Sequence, residues 1–196
     1  MENPLVKGYV ALDNAIMYGV NKAVHGWNWT TGDTKAGLAN KLLTVEPVLE
    51  SVGCFIINIP LGIISSLFMP AFSHICQKNN TNQEALEQKA IDSGAIDLNI
   101  LLFNRNNTIV GHVYGALSGG SIICAYSEKN ETPEGSALLG AGYAIRSLSH
   151  YVMRSDFLPP KKSCFERGWE KLESLVKDYR NKPALAPVLE LERVRW

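Results

Sequence analysis

Ser51–Gln77 reads SVGCFIINIPLGIISSLFMPAFSHICQ and contains no Asp, Glu, Lys or Arg. A helix or strand on a protein surface needs a polar face, so a run without charge lies either in lipid or in a core. The run is long enough to cross a bilayer. Asn106–Ser127, NNTIVGHVYGALSGGSIICAYS, is a second uncharged run, shorter and richer in glycine. The fold depends on how these two runs are buried.

Asn58, Pro60, Gly62 and Pro70 interrupt the first run. Proline inside a helix removes a hydrogen bond and kinks it, which a membrane span tolerates when neighbours satisfy the freed carbonyl. Three geometries compete: one kinked span, a hairpin turning at Ile59–Gly62, or two short helices in a soluble core. Around the second run, Arg105-Asn106-Asn107 reads as a hairpin turn between ILLFN and TIVGHVYG. That alternative gives a soluble α+β protein with a small sheet around 96–126.

Outward from these runs the chain reads as amphipathic helix. Residues 5–26 place Val6, Val10, Met17 and Val24 near one stripe, with Gly26 as the stop. Trp27 and Trp29 follow, and such rings suit a membrane interface as well as a half-buried surface. Asp33 is the expected N-cap of the next helix, and Pro47 the first turn of another. Residues 78–94 form a short polar helix capped by Thr81 or Asn82. Thr132-Pro133-Glu134 starts a helix reaching about Arg154, and Ser163 with Glu166 forms a capping box. Phe165, Trp169, Leu172, Val176 and Tyr179 then recur at helical spacing. Residues 1–180 make one domain, and 181–196 a proline-containing extended tail.

Composition bounds the function. Nineteen basic residues balance nineteen acidic ones, so no field of one sign points to nucleic acid. Residues 128–196 carry twelve of the basic ones. Cys54, Cys76, Cys124 and Cys164 lack zinc spacing and read as reduced thiols, and the N-terminus lacks the pattern of a cleaved signal. No phosphate loop, dinucleotide fingerprint or metalloprotease motif occurs, so no cofactor and no metal is expected.

Four constellations remain. Gly111, Gly115 and Gly119 share a helix face that lets another backbone approach closely, and Ser136, Gly140 and Ala144 repeat that spacing. On this reading Gly115→Leu disrupts self-association. Arg146, His150 and Arg154 lie at i, i+4 and i+8, suited to an anion or lipid headgroup, or simply to a solvated polar face. Trp169 offers an apolar contact to a partner whose identity the sequence leaves unknown. Ser118, in an approximate nucleophile elbow, could pair with His150 as a hydrolase. His74 and His112 fall within the uncharged runs, where lipid would make them functional candidates.

The resulting expectation is a mainly α protein. Segments 51–76 and 107–126 pack together as a membrane hairpin, with amphipathic helices at both ends and the loop 78–105 on the opposite side. Its function is that of a non-catalytic membrane-associated interaction or assembly protein, self-packing through the glycine face, with both termini cytoplasmic. The alternative is a soluble cytoplasmic α+β protein, either binding a small ligand or acting as a serine hydrolase through Ser118 and His150.

Overall fold

Asn58 divides the first uncharged run. In the computed structural model, which describes residues 4–94 and 98–181, α2 (Lys35–Ile57) ends there and α3 (Ile59–Ser93) begins. The Asn58 N–H donates to the Cys54 carbonyl at 2.8 Å, and its side-chain oxygen accepts from the Leu61 N–H at 3.2 Å. One residue thus serves an orphan carbonyl of one helix and an orphan amide of the next. Pro60 occupies the first turn of α3, where a missing N–H costs nothing. Gly62 is required by the tight fold-back, because a Cβ there would lie 2.7 Å from the Phe55 Cα.

The other helices among the described residues are α1 (Pro4–Thr31), α4 (Leu98–Ala125), α5 (Pro133–Arg154) and α6 (Cys164–Asn181). No strand occurs among the described residues, so the small sheet expected around 96–126 is corrected: most of that stretch is the single helix α4. Asn107 of the expected turn, and Asn104 at the end of the expected first strand, have tertiary partners instead. Asn104 and Asn107 both bond to Gln83 of α3, at 3.0 and 2.9 Å. A side-chain amide engaged across the bundle no longer competes with its own helix backbone.

Other boundaries shift for similar local reasons. Residues 78–93 continue α3, and Thr81 bonds back to the Gln77 carbonyl instead of capping a new helix. Pro47 lies inside α2. α1 runs past Gly26 to Thr31 and stops at Gly32, whose φ is +81° and whose Cβ would collide with the Lys161 carbonyl. Thr34, not Asp33, caps α2 by accepting from Gly37 N–H. Asp33 instead pairs with Lys41 and accepts from the Trp27 indole, and the Lys41 hydrogen bond holds its carboxyl below the usual carboxylate range. α5 starts at Pro133, and α6 opens on reciprocal bonds between Ser163 and Glu166 of 2.7 and 3.1 Å, both as the sequence predicts. The tail from residue 182 onward lies outside the described residues.

α2 packs on α5 at the centre, α3 flanks α2, and α4 flanks α5, while α3 and α4 meet only sparsely. The expected hairpin of 51–76 against 107–126 is therefore corrected. Each uncharged segment pairs with a helix that brings polar groups, α3 with α2 and α4 with α5. The two hairpin turns share one end, because Gly53 and Ile57 meet Gly135. The opposite end gathers Lys35, Glu87, Asn104 and Met153, so residues 78–94 and 98–105 lie on the same side as α1, not opposite it.

Two kinds of interior result. Where α1 joins the bundle, Val20, Val24, Ala36, Ala39, Tyr151, Val152 and Met153 make an ordinary apolar core. Between the four central helices most of the buried side chains are polar, Leu43 and Cys54 being exceptions, and many large apolar ones (Ile63, Ile64, Leu67, Phe68, Ile109, Val113, Leu117) are exposed. α3 and α4 are each long and apolar enough to cross a membrane, and less than a fifth of either apolar stretch is buried. A core helix of a soluble protein would show the reverse.

Arg154 fastens α1 to the bundle with two hydrogen bonds of 2.8 Å to Asp13. Those bonds hold the Asp13 pKa below its ordinary 3.8, and the charge of Arg154 and the imidazole of His112, 3.7 Å away, act in the same direction. A lowered folded-state pKa stabilises above the unfolded value and is lost as pH falls through the folded one. Docking of α1 is thus expected to weaken only below about pH 4. Asp13→Asn should remove that acid transition in protease protection of α1. An unchanged transition in the variant would assign it elsewhere.

Candidate functional site

α2 contributes Glu46 and Glu50, one turn apart on the face against α5, and α5 contributes Arg146 to the same plane. All three are essentially inaccessible: Glu46 is 0% exposed, Glu50 1% and Arg146 1%. Arg146 ion-pairs with Glu46 and also donates to Tyr114 Oη at 2.9 Å and Ser73 Oγ at 3.1 Å. Ser73 donates onward to Glu46 at 2.7 Å. Glu50 stands 4.0 Å from Arg146 Nε, too far for a hydrogen bond, and its Oε1 has no hydrogen-bond partner. The guanidinium lies over the rings of Phe72 and Tyr114, with centroids at 4.8 and 4.9 Å. All four central helices thus reach one arginine.

Gly142 makes this approach feasible, since its absent side chain leaves room for Glu50. Two carboxyls face one guanidinium, so the cluster is electrically neutral when the carboxyls share one proton. In a dry interior that balance decides whether the ions are tolerated at all.

A second polar layer lies nearer the α1 end. Lys35 Nζ meets Glu87 at 2.6 Å and donates to the carbonyls of Met153 and Ser155, a cation placed at the C-terminus of α5 where the helix dipole favours it. The Gln83 amide nitrogen lies 3.0 Å from Glu87 Oε1, 3.0 Å from Asn104 Oδ1 and 3.2 Å from the Met153 carbonyl, three acceptors that share its two hydrogens. Asn107 donates to Gln83, and His150 Nδ1 lies 2.8 Å from Asn107 Oδ1.

The residues singled out from sequence are placed as follows. Arg146 is buried against Glu46, His150 is buried against Asn107, and Arg154 holds Asp13, so the three form no common outward stripe. Ser118 donates to the Gly140 carbonyl at 2.8 Å. His150 sits at the level of Asn107, three helical turns along α4 from Ser118, so the two do not meet as a dyad. Gly111 and Gly115 face Ser147 of α5 within the same chain, while Gly119 faces open space. Trp169 and its neighbours Phe165 and Leu172 are exposed on α6. His112 bonds to the Thr108 carbonyl of its own helix. The four cysteines are free, and no cluster of metal-ligating side chains occurs among the described residues.

Glu46, Glu50, Lys35, Glu87 and Gln83 were not singled out from sequence. Glu46 and Glu50 do carry a signal: they are the last charges before the uncharged run and lie one helical turn apart. Only the partner on α5 turns that spacing into a site.

Because α3 and α4 scarcely touch, the space between them is a lateral groove. It holds a pocket of about 410 Å³ lined by Phe68, Phe72, Ile75, Tyr114 and Arg146, and a smaller one of about 190 Å³ that reaches His150. Comparison with models of protein families, with curated proteins and with solved structures gave no match.

Proposed function

We propose that the protein is a non-catalytic integral membrane protein in which α2, α3, α4 and α5 all cross the bilayer. The groove between α3 and α4 is its working surface, presenting polar groups at membrane depth to a bound molecule. The observation that supports this best is the inverted distribution of side chains: Glu46, Glu50 and Arg146 buried, with Leu67, Phe68, Val113 and Leu117 exposed. Ionisable residues inside a membrane bundle face its interior, pair with one another and mark functional positions.

Dimensions agree with that reading. Ile59 to Gln77 of α3 spans about 27 Å at the rise of an α-helix, and the hydrocarbon core is about 30 Å thick. Charges lie beyond both ends of the band. Glu128, Lys129 and Glu131 sit in the α4–α5 turn, whereas Lys41, Lys78, Lys89 and Arg105 lie toward the other end. The larger number of basic residues at the α1 end favours the cytoplasmic side for that end. The amphipathic α6, with Phe165, Trp169 and Leu172 exposed, would lie on the same membrane surface.

Internal use of Gly111 and Gly115 moves the glycine face from self-association to packing of α4 on α5. The polar interior then becomes the feature that calls for a function.

The test is topology. In a C54S/C76S/C124S background reconstituted into vesicles, a membrane-impermeant maleimide should reach native Cys164 and an introduced K129C from opposite faces. Labelling of both from one face, or release of the chain by carbonate washing, would overturn the four-span reading.

A further inference from the structure

Glu46 and Glu50 differ in how they are partnered. Glu46 pairs with Arg146 through Oε1 and accepts from Ser73 through Oε2 at 2.7 Å, so both of its oxygens face donors. Glu50 is 1% exposed, its Oε1 has no hydrogen-bond partner, and Arg146 Nε stays 4.0 Å away. A carboxylate tolerates a dry interior only when it is paired and hydrogen-bonded. Glu46 meets that requirement as an ion and Glu50 does not. The two side chains lie within hydrogen-bonding reach of each other, and two carboxyls can bond only through a proton between them. Glu50 is therefore the member that carries the proton, and Glu46 the ion that accepts from it.

The same arginine holds the groove. α3 and α4 touch sparsely, and Arg146 spans them by donating to Ser73 on α3 at 3.1 Å and to Tyr114 on α4 at 2.9 Å. With Glu50 neutral, the guanidinium is free to make both bonds. With Glu50 ionised, unlike charges face each other across the 4.0 Å gap at Nε, and that attraction competes with hydrogen bonds to two neutral hydroxyls. Movement of Arg146 toward Glu50 gives up Tyr114 or Ser73, and with either the bridge across the groove.

The titratable and charged groups around this pair come from all four central helices. They are Glu46 and Cys54 on α2, Cys76 on α3, Tyr114 on α4, and Tyr143, Arg146 and His150 on α5. Among these groups Arg146 is the one permanent cation, so two carboxyls answer to a single positive charge.

We propose that Glu50 is a proton-binding site of the bundle and that its proton keeps the groove between α3 and α4 closed. The bound proton leaves Arg146 on Ser73 and Tyr114. Its release to solvent draws Arg146 to Glu50 and parts the two helices. A state that binds a proton is favoured as pH falls and lost as pH rises, so the groove opens toward alkaline pH. The inference rests on the groove being the working surface, and it gives the buried charges the task of regulating that surface.

The experiment uses the full chain in detergent. Infrared spectroscopy reads the C=O stretch of a protonated carboxylic acid. Spin labels on Leu67→Cys and Leu117→Cys, both exposed positions, read the separation of α3 and α4 in a chain whose native cysteines are replaced by serine. At neutral pH the parent should show an acid band, and raising the pH should remove it while the labels move apart. Glu50→Gln should lose the band and hold the labels at their neutral-pH separation throughout. Glu46→Gln should also lose the band, because Glu50 then becomes the counter-ion of Arg146 and ionises. No acid band in the parent, a band that survives in either variant, or labels that part in Glu50→Gln over the parent's pH range would each overturn the proposal. So would labels that stay in place while the parent's band titrates, a result that needs no variant to fold. The acid band is read equally in detergent and in buffer, so a chain that proves soluble ends the membrane reading without deciding this one.

Discussion

Arg146→Ala is expected to cost the bundle about 3–5 kcal/mol, enough to unfold most of it at 37 °C, because it strands Glu46 and Glu50 in a dry interior. It also leaves the Tyr114 hydroxyl and Ser73 without their shared donor. Arg146→Lys should recover little, since an ammonium cannot span Glu46, Ser73 and Tyr114 as a planar fork does. Arg146→Met combined with Glu46→Gln and Glu50→Gln should recover most of the loss, because a buried ionic group replaced as a whole by neutral groups is often neutral or stabilising. Thermal unfolding in detergent, followed by loss of helical signal, separates these variants. A midpoint for Arg146→Ala equal to that of the parent would mean that the carboxyls are neutral or hydrated without the arginine. The ionic account of the bundle would then fail.

Local punctuation was well written in the sequence. Pro133 starts α5, Ser163 and Glu166 cap α6, and the two uncharged runs mark the helices whose outer faces are apolar. These signals were legible because each depends on residues within a few positions of one another. The pairing of helices was not. α2 and α5 each carry charges, so neither reads as a span, and only the packing of the four central helices hides Glu46, Glu50 and Arg146. Arg146 illustrates the limit: its spacing from His150 and Arg154 suggests a surface stripe, and three different tertiary partners dissolve it. Asn107 misled in the same way, a turn former by composition and a cross-helix bond to Gln83 in fact.

Gly53→Leu is expected to separate the two hairpins. A Cβ at Gly53 would lie 2.8 Å from the Gly135 carbonyl oxygen and 2.9 Å from the Leu139 nitrogen, and both are backbone atoms that cannot swing aside. Even Gly53→Ala should therefore destabilise by about 1–3 kcal/mol, as overpacking does, despite the better helix propensity of alanine. Gly119→Ala supplies the contrast, since nothing lies within 4 Å of its Cβ and the propensity gain of up to about 1 kcal/mol should appear as unchanged or higher stability. Helix association in lipid relies on such close backbone contact, because apolar faces gain little by leaving apolar surroundings. The measurement is a disulfide between cysteines placed at Ile57 and Gly135, which meet in the native packing. It should form readily in the parent and in Gly119→Ala but slowly in Gly53→Leu. Equal rates in all three would show that the α2–α5 seam does not depend on Gly53. Loss of a chemically crosslinked dimer in Gly119→Ala alone would instead return the glycine face to a role between copies of the chain.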